Sequence, residues 1–155
     1  MRNGFLVLLI SFFFGCSPAY STLNSPKPAA TQKNRLPEVQ YYIDINQNGY
    51  TAVTLDENPM PSQGKDQWIR DLYTIIKYPA EARENGVSGV VILDVLIDQF
   101  GTIQEVSIKK SLSKECDEEA LNAFKQATEK GYTPALYNSK SVKCRMDIPL
   151  GFWLG

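Results

Sequence analysis

The stretch GVVILDVLIDQFGTIQEVSIKKSL, residues 89–112, constrains the fold more strongly than any other part of the chain. A long apolar run there meets a turn at residues 98–101, and a second β-prone segment follows in which Val106 and Ile108 share one face. This pattern is typical of an antiparallel hairpin with one face on a core. The rest of the chain must therefore supply elements that cover that face.

Helical patterns lie on both sides of this hairpin. A helix over residues 66–77, with Asp66 as its N-cap, and a short helix over residues 80–85 are expected before it. A third helix is expected over residues 114–129, where Asp117 is a suitable cap and apolar residues recur at helical spacing. These helices are the candidates for covering the sheet.

The chain closes with a third strand in residues 142–154, where apolar residues alternate from Val142 to Ile148. Pro149 cannot donate to a strand ladder and so favours an edge position. Residues 131–141 before it are expected to form a loop. The element order predicts an α+β fold, in which a three-stranded antiparallel sheet carries two to three short helices on one face.

A weaker strand pattern precedes this domain, in residues 39–56. Apolar and polar residues alternate from Tyr41 to Ile45, Asn48-Gly49 is a strong turn pair, and a β-prone segment follows it. The pattern predicts a β-hairpin, with an irregular arm packed on the domain as the alternative.

The chain begins with the pattern of an export signal. Arg2 precedes an apolar stretch at residues 5–14, which is shorter than the roughly 20 residues needed to span a bilayer. The small residue and Cys16 that follow resemble a bacterial lipobox. We therefore expect a signal peptide over residues 1–15, a lipid on Cys16 and a flexible tether over residues 16–38. Conventional cleavage and an uncleaved anchor are the alternatives.

Lipidation of Cys16 would leave Cys116 and Cys144 as an even pair of cysteines in an oxidising compartment. A disulfide between these two residues and a pair of unpaired buried thiols both agree with that count.

Composition excludes several classes of function. The chain has no histidine, which rules out a Ser-His-Asp triad and a His-ligated metal site. Its 16 basic and 17 acidic residues are balanced, which argues against a nucleic-acid partner. No phosphate-binding glycine loop or metal-ligand spacing is present. We therefore expect no catalytic residue, no metal and no cofactor, and we do not expect an enzyme.

The ordered motifs of residues 57–155 resemble the C-terminal domain of the TonB family. The positions that carry the resemblance are Tyr78-Pro79, Ala82-Arg83, Gly86, Gly89, Asp98, Gly101, Ser111, Asp117, Ala120-Leu121, Tyr132-Thr133-Pro134-Ala135 and Pro149.

This resemblance implies a partner and a binding mode. Members of the family bind outer-membrane transporters by β-strand addition at the exposed edge of the last strand, which needs few side-chain contacts. In this chain the corresponding edge would be formed by Lys143, Cys144, Arg145, Met146, Asp147 and Ile148. The adjoining contact region would contain Tyr78, Pro79 and Arg83.

A TonB protein that transmits force also needs a membrane helix with an embedded histidine, and this sequence has no histidine. We therefore expect a periplasm-facing, envelope-tethered binding module of a Gram-negative bacterium, with an outer-membrane transporter or another envelope protein as its partner. One alternative is an accessory component of energy-coupled transport that works with a separate motor subunit. The other is a structural lipoprotein that self-associates, as a homodimer formed by strand exchange.

Overall fold

Seven strands and three helices form the described part of the chain, residues 35–45 and 47–154 of a computed structural model. In chain order they are β1 (Gln40–Ile43), β2 (Thr51–Ala52), α1 (Lys65–Ile75), α2 (Ala80–Glu84), β3 (Gly89–Ile97), β4 (Ile103–Lys110), α3 (Lys114–Ala127), β5 (Ala135–Tyr137), β6 (Lys140–Val142) and β7 (Cys144–Phe152). The predicted signal peptide, Cys16 and the tether up to residue 34 lie outside this part. None of the three helices is long and apolar enough to cross a membrane.

The main sheet is antiparallel and has the strand order β2-β1-β7-β3-β4. The predicted α+β fold is confirmed, but the sheet has five strands instead of three. The two additional strands belong to the N-terminal hairpin, which joins the sheet because β1 pairs with β7. The last strand therefore lies inside the sheet and not at its edge.

The β3-β4 hairpin forms where the sequence predicts it, and Asp98 holds its turn. One oxygen of this carboxylate accepts hydrogen bonds of 2.9 Å from the backbone N–H groups of Phe100 and Thr102. Gly101 has a φ of 86°, and its carbonyl accepts a hydrogen bond of 3.1 Å from the N–H of Tyr132. A Cβ at position 101 would overlap the Tyr132 carbonyl group, so the turn requires glycine on both counts.

Helix α3 supplies the centre of the core, where Phe124 is fully buried. Its N-cap is Ser113, whose Oγ accepts a hydrogen bond of 3.3 Å from the N–H of Cys116. The predicted cap, Asp117, lies inside the helix and accepts a hydrogen bond of 3.0 Å from the N–H of Leu112. The prediction of Asp117 as the cap is wrong, because Ser113 already provides the cap one turn earlier.

Helix α1 begins before the predicted position. Gly64 is its N-cap, so Asp66 lies in the first turn, where its charge faces the positive end of the helix dipole. Trp68 packs edge-on against Phe124 of α3, with ring centroids 6.2 Å apart. Leu72, one turn later, is buried in the same core. The predicted helix is therefore present, with a different cap.

The segment predicted as a loop contains the small β5-β6 hairpin. Asn138 and Ser139 at its tip have φ values of 50° and 59°, as a type I′ turn requires. Ala135, the first residue of β5, is fully buried. The loop prediction is wrong here because Asn-Ser is a weaker turn signal than Asn-Gly.

The N-terminal hairpin is also present, but it is shorter than the sequence pattern. Tyr42 pairs with Ala52, and Ile43 pairs with Thr51. A long connection, not a tight Asn-Gly turn, joins the strands. Ile45 lies in that connection with 52% of its surface exposed, so the alternation of apolar residues ends at Ile43, which is 4% exposed.

Cys116 and Cys144 are both free, buried thiols, so the structure contains the unpaired alternative and not the disulfide. Cys144 is the first residue of β7. Cys116 lies near the other end of that strand, in α3. Leu112, just before this helix, covers Gly89 with its side chain, and Gly89 pairs with Phe152 at the end of β7. The length of β7 is about 26 Å, whereas a disulfide requires Cα atoms within about 7 Å of each other.

Candidate partner-binding edge at strand β7

The edge that the resemblance assigns to the partner is covered by the hairpin of the same chain. Lys143 lies just before β7 and is exposed, whereas the residues from Cys144 to Asp147 are paired on both sides. The four antiparallel pairs on the hairpin side are Gln40 with Asp147, Tyr41 with Met146, Tyr42 with Arg145 and Ile43 with Cys144. The expected open edge is therefore filled by a strand in the position that a partner strand would take.

The backbone groups of alternate β7 residues face opposite neighbours. The carbonyl of Phe152 accepts a hydrogen bond of 3.3 Å from Ser88, which precedes β3, so even-numbered residues face β3. The carbonyl of Tyr41 accepts a hydrogen bond of 3.0 Å from the N–H of Val53, which follows β2. The backbone groups of odd-numbered residues of β1 therefore face β2, and those of even-numbered residues face β7. The N–H groups of Arg145 and Asp147 consequently point towards the hairpin.

Pro149 explains why the β1-β7 ladder stops where it does. Its nitrogen faces the hairpin side and has no hydrogen to donate, which is the locally unpaired position expected for it. The segment before β1 nevertheless continues alongside β7. A Cβ on Gly151 of β7 would lie 3.0 Å from the Leu36 side chain. This contact continues the register of β1, so residues 36–43 run beside most of β7, with ladder pairing over residues 40–43 only.

The helix-facing side of the hairpin packs into a small apolar cluster. Ile43 is buried there with Leu55, Ala135 and Cys144, and Tyr41 packs between this cluster and the main core. Burial raises the pKa of the Tyr41 hydroxyl, and it raises the pKa of the Cys144 thiol to about 11. The Cys144 thiol is therefore protonated and poorly nucleophilic near neutral pH.

The opposite face of the sheet carries a polar network that crosses the edge. Lys109 of β4 forms an ion pair of 2.7 Å with Asp147, and the hydroxyl of Tyr42 donates a hydrogen bond of 2.9 Å to the same carboxylate. The Lys109 ammonium also lies 4.6 Å from the centroid of the Tyr42 ring. The hydrogen bond to Asp147 raises the pKa of Lys109. Tyr42 therefore joins β1 to the sheet through its side chain as well as its backbone.

Arg145 makes the second set of charged contacts on this face. Its guanidinium lies 2.7 Å from Asp94 and 2.9 Å from Glu105, and it is 5.0 Å from the centroid of the Tyr50 ring. Because these acidic partners belong to β3 and β4, the charge of Arg145 is held by its own sheet. A partner at this edge would therefore contact mainly the backbone of Arg145.

The other predicted contact residues lie near the far end of β7. Tyr78 packs edge-on against Phe152 at 5.8 Å, and its hydroxyl donates to the carbonyl of Val87. Pro79 is the N-cap of α2. Arg83 is exposed and has no ion-pair partner among the described residues. Arg83 is thus the one of these three whose side chain is available, while Tyr78 has contacts within the domain.

Sequence reasoning missed the residues that occupy the edge. Alternation around Tyr41 predicted a strand, but a strand of four residues gives no indication of the strand with which it pairs. Leu36 was assigned to the tether, although its side chain lies against β7. The available signal was Tyr42, a large aromatic side chain on the face that the alternation assigns to polar residues.

A comparison with protein-family models identifies the family to which this domain belongs. The model of the family described as Gram-negative bacterial TonB protein C-terminal matches residues 75–154, more than half of the chain. The chain belongs to this family. TonB C-terminal domains are interaction modules of the Gram-negative envelope, and they bind proteins such as outer-membrane transporters. The matched residues include β3, β4, α3 and β7 but exclude the hairpin of β1 and β2.

Two solution structures of the Helicobacter pylori TonB C-terminal domain are similar to this chain. The first is 21% identical to this chain with a TM-score of 0.46, and the matched region covers 58% of this chain and 79% of the Helicobacter pylori chain. The second is also 21% identical, with a TM-score of 0.42, and the matched region covers 54% of this chain and 86% of the Helicobacter pylori chain. A comparison with curated proteins found no match.

Proposed function

We propose that this chain is an envelope-tethered, periplasm-facing binding module that engages an outer-membrane transporter or another envelope protein by β-strand addition at β7. The observation that supports this most directly is the pairing of β1 with β7. This pairing supports the proposal, because an extended segment of the chain itself lies along this edge opposite Arg145 and Asp147. Strand addition of this kind derives its affinity from main-chain hydrogen bonds.

The tether completes the proposal. A lipid on Cys16 would hold the module at a membrane, and residues 16–35, which precede the segment beside β7, would reach at most about 70 Å when fully extended. Intact-mass analysis of the protein purified from the envelope tests this part. We expect the loss of residues 1–15 and the added mass of a lipid on Cys16, whereas an unprocessed chain would contradict the tether.

The partner site is tested by removing one backbone donor from the edge. Asp147→Pro removes the N–H that faces the hairpin side and leaves the β3 side of the strand intact. Pro149 already occupies an equivalent position two residues later, so we expect the variant to fold. Asp147→Ala is the matched control, because it loses the carboxylate and its ion pair with Lys109 but keeps the N–H.

The measurement is affinity capture of the full chain from detergent-solubilised envelopes, with the captured proteins identified by mass spectrometry. We expect wild type and Asp147→Ala to retain the same outer-membrane or periplasmic protein. Asp147→Pro also weakens the pairing of β1 with β7, so its effect is compared with that of Ile43→Ser, which weakens β1 but keeps the donor. Relative to Ile43→Ser, we expect Asp147→Pro to lose the captured protein by about tenfold or more, since a hydrogen-bond donor is missing from a desolvated edge. Equal capture by a folded Asp147→Pro variant, or no envelope protein captured by wild type, would contradict the proposal.

A further inference from the structure

We infer that strand β1 is an exchangeable occupant of the partner site, so that a partner segment binds β7 by displacing residues 40–43 of the same chain. This inference rests on the proposed function. It makes the N-terminal hairpin a built-in competitor, and it makes the side chains of that hairpin a guide to what a partner must present.

The main core does not depend on the hairpin. The buried residues of that core begin at Leu72 and come from α1, α2, α3, β3, β7 and Tyr132, with none from β1 or β2. Val39 and Tyr41 only pack against its margin while partly exposed. The family match from residue 75 to 154 likewise excludes the hairpin. Displacement of β1 would therefore leave the hydrophobic centre of the domain in place.

The hairpin is held by few backbone contacts. It has four backbone pairs with β7 and two within itself, and Thr51 and Ala52 of β2 are exposed. Ile43 is the only residue of β1 and β2 that is buried. A two-stranded hairpin has little stability of its own in water. Its position over β7 therefore depends on contacts that a competing strand could reproduce.

The segment that leads into the hairpin is packed loosely. Leu36, Val39 and the β7 residues Ile148 and Leu150 line a half-open apolar pocket of about 190 Å³ beside Trp68 of α1. The indole N–H of Trp68 is buried and has no hydrogen-bond partner among the described residues. The open pocket means that this segment makes fewer apolar contacts than a close-packed one would, and a buried donor without a partner is unfavourable. Displacement can therefore begin at this end, next to Pro149.

The contacts of β1 define the chemistry of a competing segment. Apolar side chains are required opposite Met146 and Cys144, where Tyr41 and Ile43 face the helix side. Opposite Arg145, a side chain with a hydrogen-bond donor is favoured, because the Asp147 carboxylate accepts there from the hydroxyl of Tyr42. A partner segment is therefore extended, with two apolar residues flanking a donor-bearing residue.

A covalent lock at the end of β1 tests the exchange. Ile43 lies opposite Cys144, and the alternation of backbone groups makes this a non-hydrogen-bonded pair, in which Cα atoms are about 4.5 Å apart. That spacing suits a disulfide, so Ile43→Cys can be joined to the native Cys144 by oxidation and released by a reductant. Ile43→Ser is the matched control, because it loses the same apolar packing but cannot be locked.

The probe is a fluorescent synthetic peptide of residues 35–45, RLPEVQYYIDI, added to the full chain and followed by fluorescence anisotropy. We expect reduced Ile43→Cys and Ile43→Ser to bind the peptide about tenfold or more tightly than wild type, because a weakened hairpin leaves the edge open for a larger fraction of the time. Oxidised Ile43→Cys should not bind it. A peptide with proline at the position of Tyr42 lacks an N–H that faces β7 and should bind to none of them.

Equal peptide binding by oxidised and reduced Ile43→Cys would overturn the inference, as would no binding by the reduced variant and by Ile43→Ser. A disulfide-linked dimer on a non-reducing gel would overturn it too, since the occupant would then come from a second copy. Peptide exchange together with failed envelope capture would contradict only the proposed function. Envelope capture without peptide exchange would contradict only the inference.

Discussion

Gly101 is a single residue on which the β3-β4 turn and its contact with the rest of the domain both depend. Its φ of 86° is unfavourable for any other residue, and its carbonyl accepts a hydrogen bond from the N–H of Tyr132. The space that a Cβ would need is already filled by the carbonyl group of Tyr132. Gly86 has a similar φ of 65° but no atom within 4 Å of the same position. Alanine variants at Gly86 and Gly101 therefore separate the free-energy cost of the left-handed backbone conformation from the cost of the steric clash.

We expect Gly86→Ala to lower the free energy of unfolding by about 1–2 kcal/mol, the cost of a left-handed conformation. Gly101→Ala should cost about 1–3 kcal/mol more, because the Tyr132 backbone has to move. Urea denaturation of the two variants measures the difference. Equal losses of stability at the two positions would show that the Tyr132 backbone is not fixed against the turn.

At the scale of elements, the turn between β3 and β4 depends on a charged carboxylate. Hydrogen bonds from the N–H groups of Thr102 and Phe100 lower the pKa of Asp98 below its ordinary value of 3.8, and Gln104 adds a third hydrogen bond. The folded protein therefore holds the carboxylate in its charged form more strongly than the unfolded chain does. The stabilisation is present above the unfolded pKa and is lost as the pH falls through the folded pKa.

Asp98→Asn tests this directly, because it removes the charge and keeps the size of the side chain. We expect wild type to be more stable than the variant at pH 7 and the difference to shrink steadily as the pH falls below 3.8. Urea denaturation at a series of pH values is the measurement. A difference that is constant down to the lowest pH would mean that the charge of Asp98 does not support the turn.

Several elements could be predicted because their signals are local. The apolar run before Asp98, together with the turn that contains Gly101, predicted the β3-β4 hairpin. The helical spacing of apolar residues predicted α3. The cap of α3 was harder to predict, since Ser113 and Asp117 both suit a helix start, and in the structure Ser113 is the cap. The β5-β6 hairpin was missed because its turn at Asn138 carries a weak signal.

The pairing of β1 with β7 could not be predicted for a different reason. Periodicity around Tyr41 identifies a strand and its faces, but any strand edge of suitable length can accept four residues through its backbone. The choice of β7 depends on contacts distant in sequence, such as Ile43 with Leu55 and Cys144. Family resemblance indicated β7 as the candidate edge, while its occupation by a strand of the same chain required the structure.

At the scale of the whole molecule, the hairpin leaves the sheet with two protected edges. The outer strand β2 has only two residues, and the other outer strand, β4, carries Glu105, Lys109 and Lys110 and shows register shifts against β3. Short, charged and irregular edges resist unwanted strand pairing. Closure by the hairpin thus also protects β7 from unwanted strand pairing.

Opening of the hairpin without unfolding of the domain is the central claim, and amide hydrogen exchange by NMR on the full chain tests it most directly. The N–H groups of Arg145 and Asp147 face β1, while those of Met146 and Ile148, in the same strand, face β3. We predict that residues 145 and 147 exchange through local opening, about tenfold or more faster than residues 146 and 148, which require global unfolding. Equal, slow exchange at all four amides would contradict the claim, because the hairpin would then be a permanent part of the sheet.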